Sequence, residues 1–201
     1  MKAELQKKLK ADYPKIFAQC GKKESRLPIG WGIECGDGWY ELISRACHLI
    51  QHHVDSNADM RKWAEDHNRI ILNARDSDFT LFDEKYKDHK DRAWVDGLRD
   101  CTAAGHEKLR EVPEEIKQPI AAQVKEKFGA LRFYMNGGDD YAYGVVEMAA
   151  SMSALICEQC GAKGTLGTHG GSGWVYTACK KHSNRHKVDK WYDDTQPETE
   201  E

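Results

Sequence analysis

Cys157-Glu-Gln-Cys160-Gly161, followed 18 residues later by Cys179-Lys-Lys-His182, restricts this chain more than any other stretch of its 201 residues. Zinc needs four soft or borderline donors at the corners of a tetrahedron, and two pairs with two-residue gaps can each turn back onto one ion. Gly161 relieves the tight turn after the first pair. The stretch between the pairs, Thr165 to Ala178, is glycine-rich and ends in Trp174-Val175-Tyr176-Thr177. It predicts a β-hairpin that delivers the second pair to the start of a helix, the layout of a treble-clef zinc finger. Four protein ligands leave no open coordination position, so the expected zinc is structural, contributing on the order of 10 kcal/mol of apparent local folding free energy. His186 is a rival to His182 as fourth ligand; His182 fits the spacing better.

The other cysteines support a metal rather than a disulfide framework. Seven is an odd number, and Cys20, Cys35, Cys47 and Cys101 are scattered, which suits a reducing compartment in which they act as small buried apolar residues. The length allows one domain with a real core, or a domain plus a small satellite. No apolar run approaches the roughly 20 residues of a membrane span. The lysine-rich start, Met1 to Lys10, is not followed by an apolar stretch, so it does not read as a secretory signal; the expected compartment is the cytosol. The net charge of −3 is unevenly spread. Residues 1–28 and 180–192 are basic, while residues 55–117 and the tail 193–201 are acidic. The chain as a whole lacks a strongly basic nucleic-acid footprint.

Periodicity predicts an α+β protein: a small antiparallel sheet packed with helices, a helical insertion and the C-terminal finger. Residues 2–11 read as an amphipathic helix, 28–35 as an extended segment, and 39–53 as a buried helix capped by Asp37. The charged block 57–112 reads as a helical arm. Ser56-Asn57 would cap a helix to about Ala74 with Met60, Trp63, Ala64, His67, Ile70 and Ile71 inward. Asp78 or Thr80 would cap a second helix, and a third would run from about Asp91 to Glu111. Between Pro119 and Asn136, alternation of Ile120, Ala122 and Val124 and of Leu131, Phe133 and Met135 predicts an antiparallel hairpin. Gly137-Gly138-Asp139-Asp140 would cap a helix over roughly 140–155 with Val145, Val146, Ala149, Met152 and Leu155 inward. The expected divisions are a core over 1–156, a zinc module over 157–192, and a disordered acidic tail over 193–201.

Outside the finger, the densest cluster is Trp31-Gly-Ile-Glu34-Cys-Gly-Asp37-Gly-Trp39. If this segment pairs beside the 119–136 hairpin, Glu34 and Asp37 come near Lys125, Lys127 and Arg132, and with Trp31, Trp39 and Tyr134 they could line a ligand pocket. The alternative is a salt-bridged sheet face with the tryptophans in the core. Some treble clefs are nucleases with a histidine base on the hairpin. Here His169, Asn184 and His186 are the available residues. No aspartate flanks His169, so the inventory argues against nuclease activity.

The phrases WGIECGDGWYELI, QVKEKFGALRFYMNGGDDY and CEQCG…GWVYTACKKH, together with DFTLFDEKY in the helical block, resemble a family of small proteins encoded by tailed phages and prophages. Ala130 stands where a second glycine is expected in the hairpin turn. The resemblance implies a protein made in the cytoplasm of a bacterial host, and transfers a setting rather than catalytic residues. Its implied role is a non-catalytic accessory protein that binds a host or defence protein, or sequesters a small charged ligand. Nucleic-acid binding is the competing reading, carried by Lys180, Lys181, Arg185, Lys187 and Lys190 with Trp174, Tyr176, Trp191 and Tyr192 near the finger. A homodimer through the helical arm is compatible with the sequence.

Overall fold

The computed structural model describes residues 1–22, 26–169, 174–183 and 188–192, with the side chains of 169 and 188–192 excepted. The chain is α+β, and it divides into two units. One comprises Met1–Val54 with Ile116–Glu201, the other Asp55–Glu115.

In the first unit, α1 (Ala3–Asp12) is followed by a 3-10 turn, Pro28–Trp31, and β1 (Ile33–Glu34). The extended segment expected over 28–35 therefore shrinks to two residues. Pro28, with φ fixed and no N–H to lose, starts a helical turn instead. A second 3-10 turn, Asp37–Trp39, leads into α2 (Tyr40–Arg75). The sheet is β1–β2–β3, with β2 at Ile120–Lys127 and β3 at Ala130–Asn136. β2 and β3 form the expected antiparallel hairpin, and β1 adds in parallel with Ile33 opposite Val124 and Glu34 opposite Lys125.

Strand β2 corrects one expectation. The register shifts between Ala121 and Gln123, so Ala121 and Val124 are buried rather than Ile120, Ala122 and Val124. The extra residue of the bulge turns the side chains before it to the opposite face. Strand β3 buries Leu131, Phe133 and Met135 as its alternation requires.

Helix α5 (Asp140–Ser153) is capped by Asp139, whose Oδ1 accepts from Ala142 N at 3.1 Å. It turns inward Ala142, Val145, Ala149 and Ser153. Met152 and Leu155, expected inside, are exposed, and Val146 is half-buried. Ser153 sets this rotation: its hydroxyl oxygen accepts the Leu131 backbone N–H at 2.8 Å, so small residues face the sheet and the larger ones turn outward. The core beneath combines Leu9, Ile16, Phe17, Ile29, Trp39, Ile43, Cys47 and Ile50 with the inner faces of the sheet and of α5.

In the second unit, the helix break expected at Ser56-Asn57 is absent, and α2 runs 36 residues without interruption. No proline or glycine falls within it. Asn57 does not cap; it is buried, and its amide donates to Glu114 O at 3.1 Å. Helix α3 (Thr80–Tyr86) begins where Asp78 Oδ1 accepts from Thr80 N, and α4 (Arg92–Ala103) is capped by Asp91. Ile70, Phe82 and Val95 form the core of this unit. Ala64, His67 and Ile71 are buried as expected, while Met60 and Trp63 are exposed; the Arg110 guanidinium lies 3.9 Å from the Trp63 ring centroid.

The third helix ends eight residues before the expected Glu111, with Gly105 at φ +73° just beyond it. The following chain finds its hydrogen bonds on α2 instead: Asn68 pairs with both the N–H and the C=O of Arg110 at 2.7 and 2.8 Å, and Arg75 donates to Glu107 O. Cys20, Cys35 and Cys47 are buried; Cys101, on α4, is exposed, against expectation. No described helix is long and apolar enough to cross a membrane.

Candidate metal centre

The last part of the first unit follows the order expected of the motif: Cys157 and Cys160 on a turn, strands β4 (Thr165–His169) and β5 (Trp174–Ala178), then Cys179 and a single helical turn, α6 (Lys180–Ser183). Strand β6 (Val188–Tyr192) pairs with the other side of β4. The turn closes on itself through Gly161 N donating to Cys157 O at 2.8 Å and Cys157 N to Ala162 O at 2.7 Å.

The donor atoms of Cys157, Cys160, Cys179 and His182 all lie within 4.8 Å of one another. Cys160 Sγ and Cys179 Sγ are 3.8 Å apart. His182 Nδ1 lies 3.4 Å from Cys157 Sγ and 3.3 Å from Cys179 Sγ. A tetrahedron with metal–sulfur bonds of about 2.3 Å and a metal–nitrogen bond of about 2.0 Å has edges of roughly 3.8 Å between sulfurs and roughly 3.5 Å from sulfur to nitrogen. The residues present therefore fit a metal ion, with Cys157 buried, Cys179 and His182 half-buried and Cys160 exposed. Burial opposes the Cys179 thiolate, yet hydrogen bonds from the His182 N–H, the neighbouring thiols and the Lys181 N–H outweigh it and hold its pKa below the ordinary thiol value.

The centre is keyed to the rest of its unit by groups the sequence did not single out for this role. Glu158 takes two bonds from the loop before α2: its backbone O accepts from Gly38 N and its Oε1 from Gly36 N, both at 2.7 Å. A Cβ on Gly36 would meet Glu158 O at 2.2 Å, and one on Gly38 would meet Cys157 O at 2.2 Å and Gly161 N at 2.4 Å. Neither glycine has positive φ, so close approach, not backbone freedom, requires them. Trp39, fully buried, donates its indole N–H to Ile156 O at 2.8 Å, and buried Thr177 donates its hydroxyl to Gly129 O at 2.7 Å in the β2–β3 turn. Two glycines flanking an aspartate, with a tryptophan next, were the visible signal, but they pointed equally to a ligand.

The other candidate residues fall in several places. Glu34, Lys125 and Arg132 lie in one row across the sheet, with Tyr134 one pair further on and Lys127 near the hairpin tip. Trp31 is exposed beside β1, whereas Trp39 is fully buried in the core. Asp37 caps no helix of its own. It accepts from Lys2 N at 2.7 Å and pairs with Lys2 Nζ at 3.2 Å, contacts that lower its pKa, because its side chain points to the N-terminal end of α1. Asp37 also lines a cavity of about 580 Å³ between the first part of α2 and α5. This cavity is walled by Leu42, Leu49, Val145, Met148 and Met152 and reaches Cys160. Asn184, His186, Arg185, Lys187 and the 193–201 tail lie outside the described residues, as does the His169 side chain.

Fold and site together define an α+β protein with a C-terminal Cys3His cluster that could bind a metal ion. Compared with protein families, curated proteins and solved structures, the chain matches none.

Proposed function

We propose that Cys157, Cys160, Cys179 and His182 hold one structural zinc ion, and that the protein is a non-catalytic accessory protein of a tailed phage or prophage that binds a host or defence protein. The donor set carries the metal reading. Three thiolates and an imidazole suit zinc, and four protein ligands saturate it, leaving no position for a substrate or an activated water. The metal would supply local stability, tying together a turn, a hairpin and a helical turn that have little apolar core of their own. Binding rather than catalysis is supported by that saturated site and by the exposed Met148 and Met152 that line the 580 Å³ cavity, a size within the range of about 300–1,000 Å³ typical of ligand sites. The phage setting rests on the sequence resemblance alone.

Native mass spectrometry of protein purified from a bacterial host, before and after acid release of metal, tests this reading. One zinc per chain is expected, with Cys179→Ser losing it. A metal-free wild-type chain that keeps its denaturation midpoint in chelator refutes the metal assignment. A zinc-loaded chain that turns over a substrate would refute the non-catalytic one.

A further inference from the structure

The outward face of the β1–β2–β3 sheet has no part in the metal centre. Alternation along β2 and β3 places Lys125, Lys127, Arg132 and Tyr134 opposite the buried Val124, Leu131 and Phe133. At the tip of the hairpin, Phe128 and Trp174 are both exposed, at 67% and 61%, and line a cleft of about 220 Å³ with Glu126, Lys127 and Val175; the Glu126 carboxylate accepts from Gly129 N at 2.7 Å. The Lys127 ammonium lies 5.1 Å from the Phe128 ring centroid.

Phe128 is the unusual residue. The turn Phe128-Gly129 has φ of +57° and +75°, the left-handed pair that Asn-Gly adopts most readily in two-residue hairpins. A phenylalanine there is strained, and it buries little in return. Its place is explained if the ring is needed outside the fold.

We propose that this face binds single-stranded nucleic acid: bases stack on Phe128 and Trp174 at the tip, with Tyr134 further along, and phosphates run along Lys127, Lys125 and Arg132. Exposed aromatics interleaved with cations are the recurring platform for unpaired strands, since every base has a π-face to stack. Lys125 and Lys127 are two residues apart on one strand, about 6.6 Å, a spacing that suits successive phosphates of an extended strand. Glu34, in register with Lys125, and Glu126, which lines the cleft, are the acids of this surface and limit its net charge. The proposal adds a ligand to the binding reading above without depending on its host-protein target, and Trp174 ties it to the hairpin of the metal module.

Fluorescence anisotropy of metal-loaded protein with a labelled thymidine oligonucleotide of about 20 nucleotides, longer than the ~4–16 of a typical site, tests it. Affinity is expected to fall with salt at a log–log slope of about −2, from about three phosphate contacts at −0.7 each. The double variant Lys125→Gln, Arg132→Gln should flatten the slope to about −0.7. Phe128→Asn should weaken binding about 5- to 150-fold while its denaturation midpoint stays level or rises, the opposite of what a merely structural ring would do. A duplex of equal length should bind more weakly. An unbound oligonucleotide at low salt, equal affinity for duplex, or full affinity in Phe128→Asn each overturns the proposal. Zinc content of every variant is read in parallel: a zinc-loaded chain that ignores the oligonucleotide sinks this inference and leaves the metal assignment standing.

Discussion

Adding one methyl group should have opposite effects at two glycines of this chain. Gly38 presses on the turn that carries Cys157 and Cys160; an alanine Cβ there would fall 2.2 Å from Cys157 O, 2.4 Å from Gly161 N and 2.7 Å from Cys160 N. All three are backbone atoms of a turn already held by its own hydrogen bonds, so they cannot swing aside as a side-chain end would. Overpacking of this kind costs about 1–3 kcal/mol. Moving the loop away also weakens the 2.7 Å bond from Gly38 N to Glu158 O, worth about 1 kcal/mol. Gly38→Ala should therefore lose roughly 2–4 kcal/mol, which at about 2–4 °C per kcal/mol for a chain of this size lowers Tm by roughly 4–16 °C. Gly144, inside α5, has no atom within 4 Å of the place an added methyl would occupy. Gly144→Ala should gain about 1 kcal/mol by helix propensity and raise Tm by about 2–4 °C. Urea and thermal melts of metal-loaded protein, with zinc release to a chelator followed alongside, measure both. The close-approach argument fails if Gly38→Ala melts within a degree of wild type and releases zinc no faster.

Two further perturbations test the links around the site and sheet. Trp39→Phe removes the indole N–H and leaves Ile156 O without its 2.8 Å partner, so it should cost about 2 kcal/mol in urea denaturation and quicken zinc release; an unchanged midpoint would show that bond to be dispensable. Partial burial pushes the Asp139 carboxyl up, but His53, 2.8 Å away, and the Ala142 N–H outweigh it and hold its pKa below the usual 3.8. A carboxylate depressed in the folded state contributes its stability above the unfolded pKa and loses it as pH falls through the folded value, so the advantage of wild type over Asp139→Ala should be about 1 kcal/mol near neutrality and shrink below about pH 4 in denaturation series; a gap that widens with acid contradicts the assignment.

The parts of this fold that were legible in sequence are those fixed by local chemistry. The Cys-x-x-Cys and Cys-x-x-His spacings, the alternation of Leu131, Phe133 and Met135, and the Asp139 cap each depend on residues within a few positions of one another. What escaped was decided by distant partners. Ser56-Asn57 looked like a cap until Glu114 O claimed the Asn57 amide. Residues 104–111 kept a helical pattern, but the Asn68 amide, 42 residues away, pairs with Arg110 and holds that stretch out of a helix. The α5 stripe was read from hydrophobicity, whereas a polar atom, Ser153 Oγ, fixes its rotation. The Gly36-Asp37-Gly38 cluster was recognised as a place of close approach; that it approaches the metal turn could not be read without knowing that residue 158 comes back to residue 36.

That return has a consequence for biosynthesis. Trp39 waits for the Ile156 carbonyl 117 positions later, and the Gly36–Glu158 bond closes over 122. At about 5–20 residues per second, ribosomal elongation leaves the first half of this core, with Ile43, Cys47 and Ile50 uncovered, for roughly 6–25 s before its counterpart exists. The 55–115 segment has its own small core and emerges complete inside that interval. A nascent chain of this kind is a natural client for a ribosome-associated chaperone, and truncations between 116 and 156 should aggregate where the full chain does not.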